Sequence, residues 1–89
     1  MAALGAEVLA IRADASKADG VRRTVDETVR RFGRIDILVN NAGEAWVGHS
    51  VDTTDQDWQY SLDVNLLSAV RFTRSVVPHM RKQGGGRVI

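Results

Sequence analysis

The chain has no cysteine, a single proline, two tryptophans, two phenylalanines and one tyrosine in 89 residues. Without cysteine there is no disulfide framework, no thiolate nucleophile and no sulfur metal site, a composition suited to a reducing, cytoplasmic setting. Twelve basic residues against eleven acidic ones leave a formal net charge of +1, so no long-range field draws nucleic acid or anionic lipid. No apolar run approaches the length of a bilayer span, and the amino terminus carries no signal-peptide pattern. His49 and His79 stand apart, with no second ligand at metal-binding spacing, so no metal site is expected. There is no internal repeat, no low-complexity tract and no second domain.

What is present is the composition of an ordinary globular chain, 44% apolar and 26% charged. At this length it makes one small domain that buries about 60–65% of its extended-chain surface. Ala6-Glu7-Val8-Leu9-Ala10-Ile11 is short, apolar and partly β-branched, and it predicts a first strand leading into Arg12-Ala13-Asp14-Ala15. Ser16 with Asp19 resembles a capping box, so a helix is expected to begin there. Val21, Val25, Val29 and Phe32 form its packed face, Arg22, Arg23, Asp26, Glu27, Arg30 and Arg31 its solvated one, and Gly33 its end.

Ile35 to Val39 runs apolar without alternation, as in a strand buried on both faces of a parallel sheet, and stops at Asn40-Asn41-Ala42-Gly43. Ligands of open α/β sheets lie at such carboxyl ends, and residues without bulk let a flat ligand approach the main chain. A plain turn remains the alternative for these four residues taken alone. Glu44 to Thr53 reads as a loop over the crevice, with Trp46 at a substrate mouth.

Thr54 with Asp57 repeats the capping pattern and opens a helix expected to run to Lys82, kinked by Pro78. Its main apolar stripe is expected at Trp58, Leu62, Leu66, Ala69, Val70, Val76, Val77 and Met80, with Val64, Leu67 and Phe72 off it and Trp58 as a packing anchor. An arc this wide can cover its own sheet and also meet a partner helix, so homo-oligomerisation through Thr54 to Lys82 is expected. Gln83-Gly84-Gly85-Gly86 ends the helix, and Arg87-Val88-Ile89 begins another strand. Both ends read as mid-element.

This order, with a middle strand ending in Asn-Asn-Ala-Gly, resembles the short-chain dehydrogenase/reductase family almost from end to end. The resemblance implies an α/β fold, a partial Rossmann-like doubly wound parallel sheet, with residues 1–89 as a β-α-β-α-β piece of an NAD(P)-binding domain truncated at both ends. Arg12-Ala13-Asp14-Ala15 is similar to the strand end whose aspartate meets the cofactor's adenine, which gives Asp14 and Ala15 cofactor-binding roles. Gly33 to Gly43 is similar to the family's fourth strand and its motif, so Asn40, Asn41, Ala42 and Gly43 would flank the adenosine and nicotinamide ribose. Asp63-Val64-Asn65-Leu66 resembles the helix whose asparagine holds a water in the proton relay, which makes Asn65 the catalytic candidate. On the bare pattern Asp14 is equally a local backbone acceptor, and Asn65 a tolerated polar residue.

The implied parent uses NAD or NADP and moves hydride to or from a small-molecule alcohol or carbonyl substrate. The glycine-rich T-G-x-x-x-G-x-G turn and the Y-x-x-x-K pair do not occur in these 89 residues, and no lysine lies four residues after Tyr60. The chain alone is therefore expected to lack a competent pocket and to be inactive. In the family's sheet two strands separate the segment of Val8 from that of Ile37, so a gap on the order of 10–15 Å is expected at about 4.8 Å per strand. Against this stand a non-catalytic α/β module that associates with a homologue through its long helix, and a flavodoxin-like domain, which the lack of a phosphate loop and of an acidic cluster disfavours.

Overall fold

The computed structural model describes residues 5–44 and 51–89. Helix α1 spans Ala18–Phe32, strand β1 Ile37–Leu38, helix α2 Asp55–Leu62, a π-helical turn Asp63–Leu67, helix α3 Ser68–Gln83, and strand β2 Arg87–Val88. The strands pair in parallel, Ile37 opposite Arg87 and Leu38 opposite Val88, so β1, the long helical crossover and β2 form a βαβ unit. The Asn40 N–H donates to the Ile89 carbonyl at 2.8 Å and continues the ladder towards the Asn-Asn-Ala-Gly segment. No described helix is long and apolar enough to cross a membrane.

The core lies between α1, α3 and β1. Val25, Ile35, Val76 and Met80 are buried together, with Val29, Leu38 and Phe72 packed against them, and Val21 is buried beside them on α1. Helix α1 ends where Gly33 adopts φ 79 and its N–H returns to the Val29 carbonyl. Gly84 ends α3 in the same way at φ 97. Just before that cap, the Gln83 side chain pairs with both main-chain groups of Ile35, accepting from its N–H at 3.2 Å and donating to its carbonyl at 2.6 Å, and so ties the end of α3 to the entry of β1.

Several expectations are corrected. Ala6 to Ile11 is not a strand, because none of its main-chain groups joins a ladder among the described residues. The first helix starts at Ala18 with Lys17 as its uncapped N-cap residue. Ser16 does not cap it, because its N–H and hydroxyl are spent backwards on the Asp14 carboxylate. The middle strand is not buried on both faces: Leu38 packs on the helices, whereas Ile37 is 59% and Val39 61% exposed, since nothing described covers their side.

The second helix opens at Thr54 as expected, with both bonds of the capping box present at 3.1 Å. It is not one uniform α-helix, since the turn at Asp63–Leu67 widens so that the Ser68 N–H reaches the Asp63 carbonyl five residues back. Helix α3 then passes through Pro78 and continues to Gln83. The buried stripe of this long helix is Val64, Ser68, Phe72, Val76 and Met80. Trp58, Leu62, Leu66 and Val70 are exposed, so the inward and outward faces of its first half are the reverse of the expected ones, and Trp58 anchors no core. Trp46, His49 and most of the loop from Glu44 to Thr53 lie outside the described residues.

Candidate functional site

A cleft of 770 Å³ opens between the segment that leads into α1 and the segment that follows β1. Arg12 to Ser16 with Arg23 form one wall; Ala42, Gly43 and Glu44, backed by Tyr60 and Val64, form the other. Residues far apart in the chain are thus brought together where the segment before α1 faces the one after β1.

On the first wall, Asp14 is fixed from both of its ends. Its carboxylate accepts from the Ser16 hydroxyl at 2.6 Å and the Ser16 N–H at 2.9 Å, while its carbonyl accepts from the Lys17 N–H at 3.1 Å. The hydroxyl bond first, then the amide bond, holds the Asp14 carboxyl below the usual carboxylate range, so it stays an acceptor at neutral pH. That carbonyl lies directly against Gly20 in the first turns of α1, where any Cβ would collide with it. Arg23 donates to the Arg12 carbonyl and pins the strand-like segment to the helix.

On the second wall, Asn65 works as a clamp. Its Oδ1 accepts from the Glu44 N–H at 2.8 Å, and its Nδ2 donates to the Glu44 carbonyl at 2.9 Å and to the Ser61 carbonyl at 3.0 Å. A Cβ at Gly43 would come within 3.0 Å of the same Oδ1, so the bare main chain there lets Asn65 close in. The Tyr60 hydroxyl donates to Glu44 Oε2 at 2.7 Å. This bond, reinforced by the Glu44 charge, raises the Tyr60 phenol above its ordinary value.

Of the residues singled out from the sequence, Asp14, Ala15, Ala42 and Gly43 line this one cleft, and Asn65 stands directly behind Glu44. Asn40 and Asn41 do not line it. Asn40 uses its N–H on Ile89 and turns its side-chain amide towards the Thr73 hydroxyl at 3.5 Å, which places it at the carboxyl end of the sheet.

The family model described as short chain dehydrogenase matches residues 1–89. The chain belongs to this family. Among curated proteins it is 40% identical over 79 residues to the CLA biosynthesis dehydrogenase/reductase of Lactiplantibacillus plantarum, covering 89% of this chain and 28% of that protein. Among solved structures it is similar to L-sorbose reductase from Gluconobacter frateurii, complexed with NADPH and L-sorbose, at 36% identity and TM-score 0.92, covering 98% of this chain and 33% of that one. A metagenomic short-chain oxidoreductase in complex with NADP matches at 28% identity and TM-score 0.90, covering 98% of this chain and 39% of that one. The 89 residues thus span about a third of these short-chain dehydrogenases, and the partial Rossmann-like fold agrees with theirs.

Sequence reasoning missed Arg12, Ser16, Arg23 and Tyr60 as parts of this cleft, and placed Glu44 only at the start of a loop over it. Only Ser16 carried a local signal, as a hydroxyl two residues after Asp14 in the pattern of an Asx or serine turn. The pairing of Tyr60 with Glu44 depends on how α2 docks, which no spacing rule encodes.

Proposed function

We propose that residues 1–89 form the central part of the NAD(P)-binding domain of an oxidoreductase that moves hydride between a nicotinamide cofactor and an alcohol or carbonyl group of a small molecule. The supporting observation is the single cleft shared by Asp14, Ala15, Ala42 and Gly43, whose alanines and glycine let a planar base lie close to main chain. The residues fit the adenosine end of such a cofactor: an oriented, ionised carboxylate with further acceptor capacity stands beside a wall of low bulk. When bound, the cofactor supplies the ring that gives or takes hydride.

In this reading Asp14 accepts from the adenine amino group, Ala15 packs beside it, and Ala42 and Gly43 flank the adenosine. Asn40 and Asn41, nearer the sheet, flank the nicotinamide ribose. Asn65, whose side-chain amide is fixed on Glu44 and Ser61, is the residue that would hold a water in the proton relay. Catalysis by these 89 residues alone is not expected, because they contain no glycine-rich phosphate turn and no Tyr-x-x-x-Lys pair.

Titration with adenosine diphosphate and with NAD(P)(H), followed by amide chemical shifts, tests the assignment. Saturable shifts at Asp14, Ala15, Ala42 and Gly43, lost in Asp14→Ala, are the expected result, at affinity weaker than micromolar. Shifts confined to another face, or none, reject it.

A second reading is favoured by the exposed stripe Trp58, Leu62, Leu66 and Val70: a module that associates with another copy or a homologue through the long helix. Mass that rises with concentration in the wild type, but not in Leu62→Lys with Leu66→Lys, is its expected signature. A mass that does not change with concentration counts against it.

A further inference from the structure

We propose that Arg71, which does not itself line the cleft, is a positioning residue that holds the two cleft walls in register. Its guanidinium lies between them. One nitrogen, Nη1, donates to the Ser16 carbonyl at 3.1 Å, and the other, Nη2, lies 3.3 Å from Asp63 Oδ1. Ser16 is buried and in turn holds the Asp14 carboxylate through two bonds. Asp63 opens the π-helical turn that carries Asn65, whose amide clamps the main chain of Glu44 next to Gly43. One planar fork therefore connects Asp14 on one wall with Asn65 and Glu44 on the other.

The chemistry suits arginine specifically. The Arg71 and Asp63 side chains are only 28% and 22% exposed, so their attraction is less screened than that of Arg22 with Asp19 or Arg34 with Asp36 on the open surface. Two fixed nitrogens reach two acceptors at once; a lysine ammonium at the same point is a single, strongly hydrated charge on a flexible stem. The contact bridges 55 residues of sequence, so no local turn replaces it.

The coupling is readable without any ligand, because each wall presents one amide held by a side chain: Ser16 N–H on Asp14, and Glu44 N–H on Asn65. Amide hydrogen exchange is measured on the full chain for wild type, Arg71→Met and Arg71→Lys. Both amides are expected to exchange about tenfold faster in Arg71→Met, the scale of one lost bond to a charged group. Val25 and Met80 in the core are expected to keep their protection, and Arg71→Lys is expected to restore one wall and not both. Acceleration at Ser16 alone, at Glu44 alone, or uniformly across the core overturns the proposal, as does full restoration by lysine.

The consequence for binding rests on the adenosine reading above and is scored separately. In a double-mutant cycle on adenosine diphosphate affinity, Arg71→Met is expected to weaken binding about tenfold in wild type and hardly at all in Asp14→Asn, because the effect passes through Asp14. Additive losses overturn that route. If wild type binds no adenine nucleotide while the exchange result holds, the functional reading fails and the coupling stands.

Discussion

Replacing Gly20 with alanine sets two physical effects against each other. Gly20 sits in the third position of α1, where helix propensity alone favours alanine by about 1 kcal/mol. Against this, the new Cβ would fall on the Asp14 carbonyl carbon and oxygen, which are main-chain atoms fixed by the turn bond to Lys17 and cannot swing aside as a side chain would. Overpacking of this kind costs about 1–3 kcal/mol, and pushing Asp14 away also sacrifices the Lys17 bond, worth about 1 kcal/mol. The loss exceeds the gain, so Gly20→Ala is expected to destabilise by about 1–3 kcal/mol, with Asp14 displaced from its wall. Urea denaturation gives the stability, and amide shifts of Asp14 and Ser16 report the wall. A variant as stable as wild type or more so, with those shifts unchanged, would refute the argument that the Asp14 segment presses on the helix.

Val76, 2% exposed, is expected to cost about 2 kcal/mol on truncation to alanine. Leu66, 54% exposed, is expected to cost under about 0.5 kcal/mol in the monomer, and equal losses in thermal unfolding would contradict the assigned faces of the long helix. Tyr60 is the only tyrosine, so phenolate absorbance reads it alone: its titration lies above the ordinary phenol value and is expected to fall back in Glu44→Gln. Because the folded group holds its proton more tightly, this bond stabilises below the ordinary phenol pKa and its contribution is lost as pH rises through the raised one; an unmoved titration in Glu44→Gln would dismiss the pair. Asp14 has the opposite sign. Its depressed carboxyl stabilises above the unfolded value and loses that contribution as pH falls through the folded one, so the stability difference between wild type and Ser16→Ala is expected at neutral pH and should vanish in acid.

The parts of the fold legible in the sequence are those written in local backbone chemistry. Gly33 and Gly84 end helices because the left-handed cap suits glycine, and Thr54 with Asp57 closes both bonds of its box. Ala42 and Gly43 were legible as the end of an apolar strand, whereas Asp14 and Ala15, which share their cleft, were reached only through the family resemblance, since the pattern around Asp14 equally fits a local backbone acceptor. What escaped is non-local or finely balanced. Ser16 had two possible partners, and Asp14 took it before the helix did. The π-helical turn follows from one extra residue in a helical turn, marked by neither glycine nor proline, and it supports the segment from which Asn65 reaches Glu44. The long helix carries two apolar stripes: periodicity ranks the one with Leu62 and Leu66 as the packed face, whereas the fold turns Val64 and Phe72 inward, because docking on α1 and the sheet decides between them. Ala6 to Ile11 has strand composition, yet a strand exists only through a ladder, and no described segment pairs with it.

The most direct measurement of the central claim is photolabelling with an azidoadenine analogue of NAD, followed by peptide mapping. The account predicts label within residues 12–16 or 42–44, suppressed by unmodified NAD(P) and reduced in Asp14→Ala. Label that maps to the exposed face of Trp58 and Leu66, or that free dinucleotide does not displace, would contradict it.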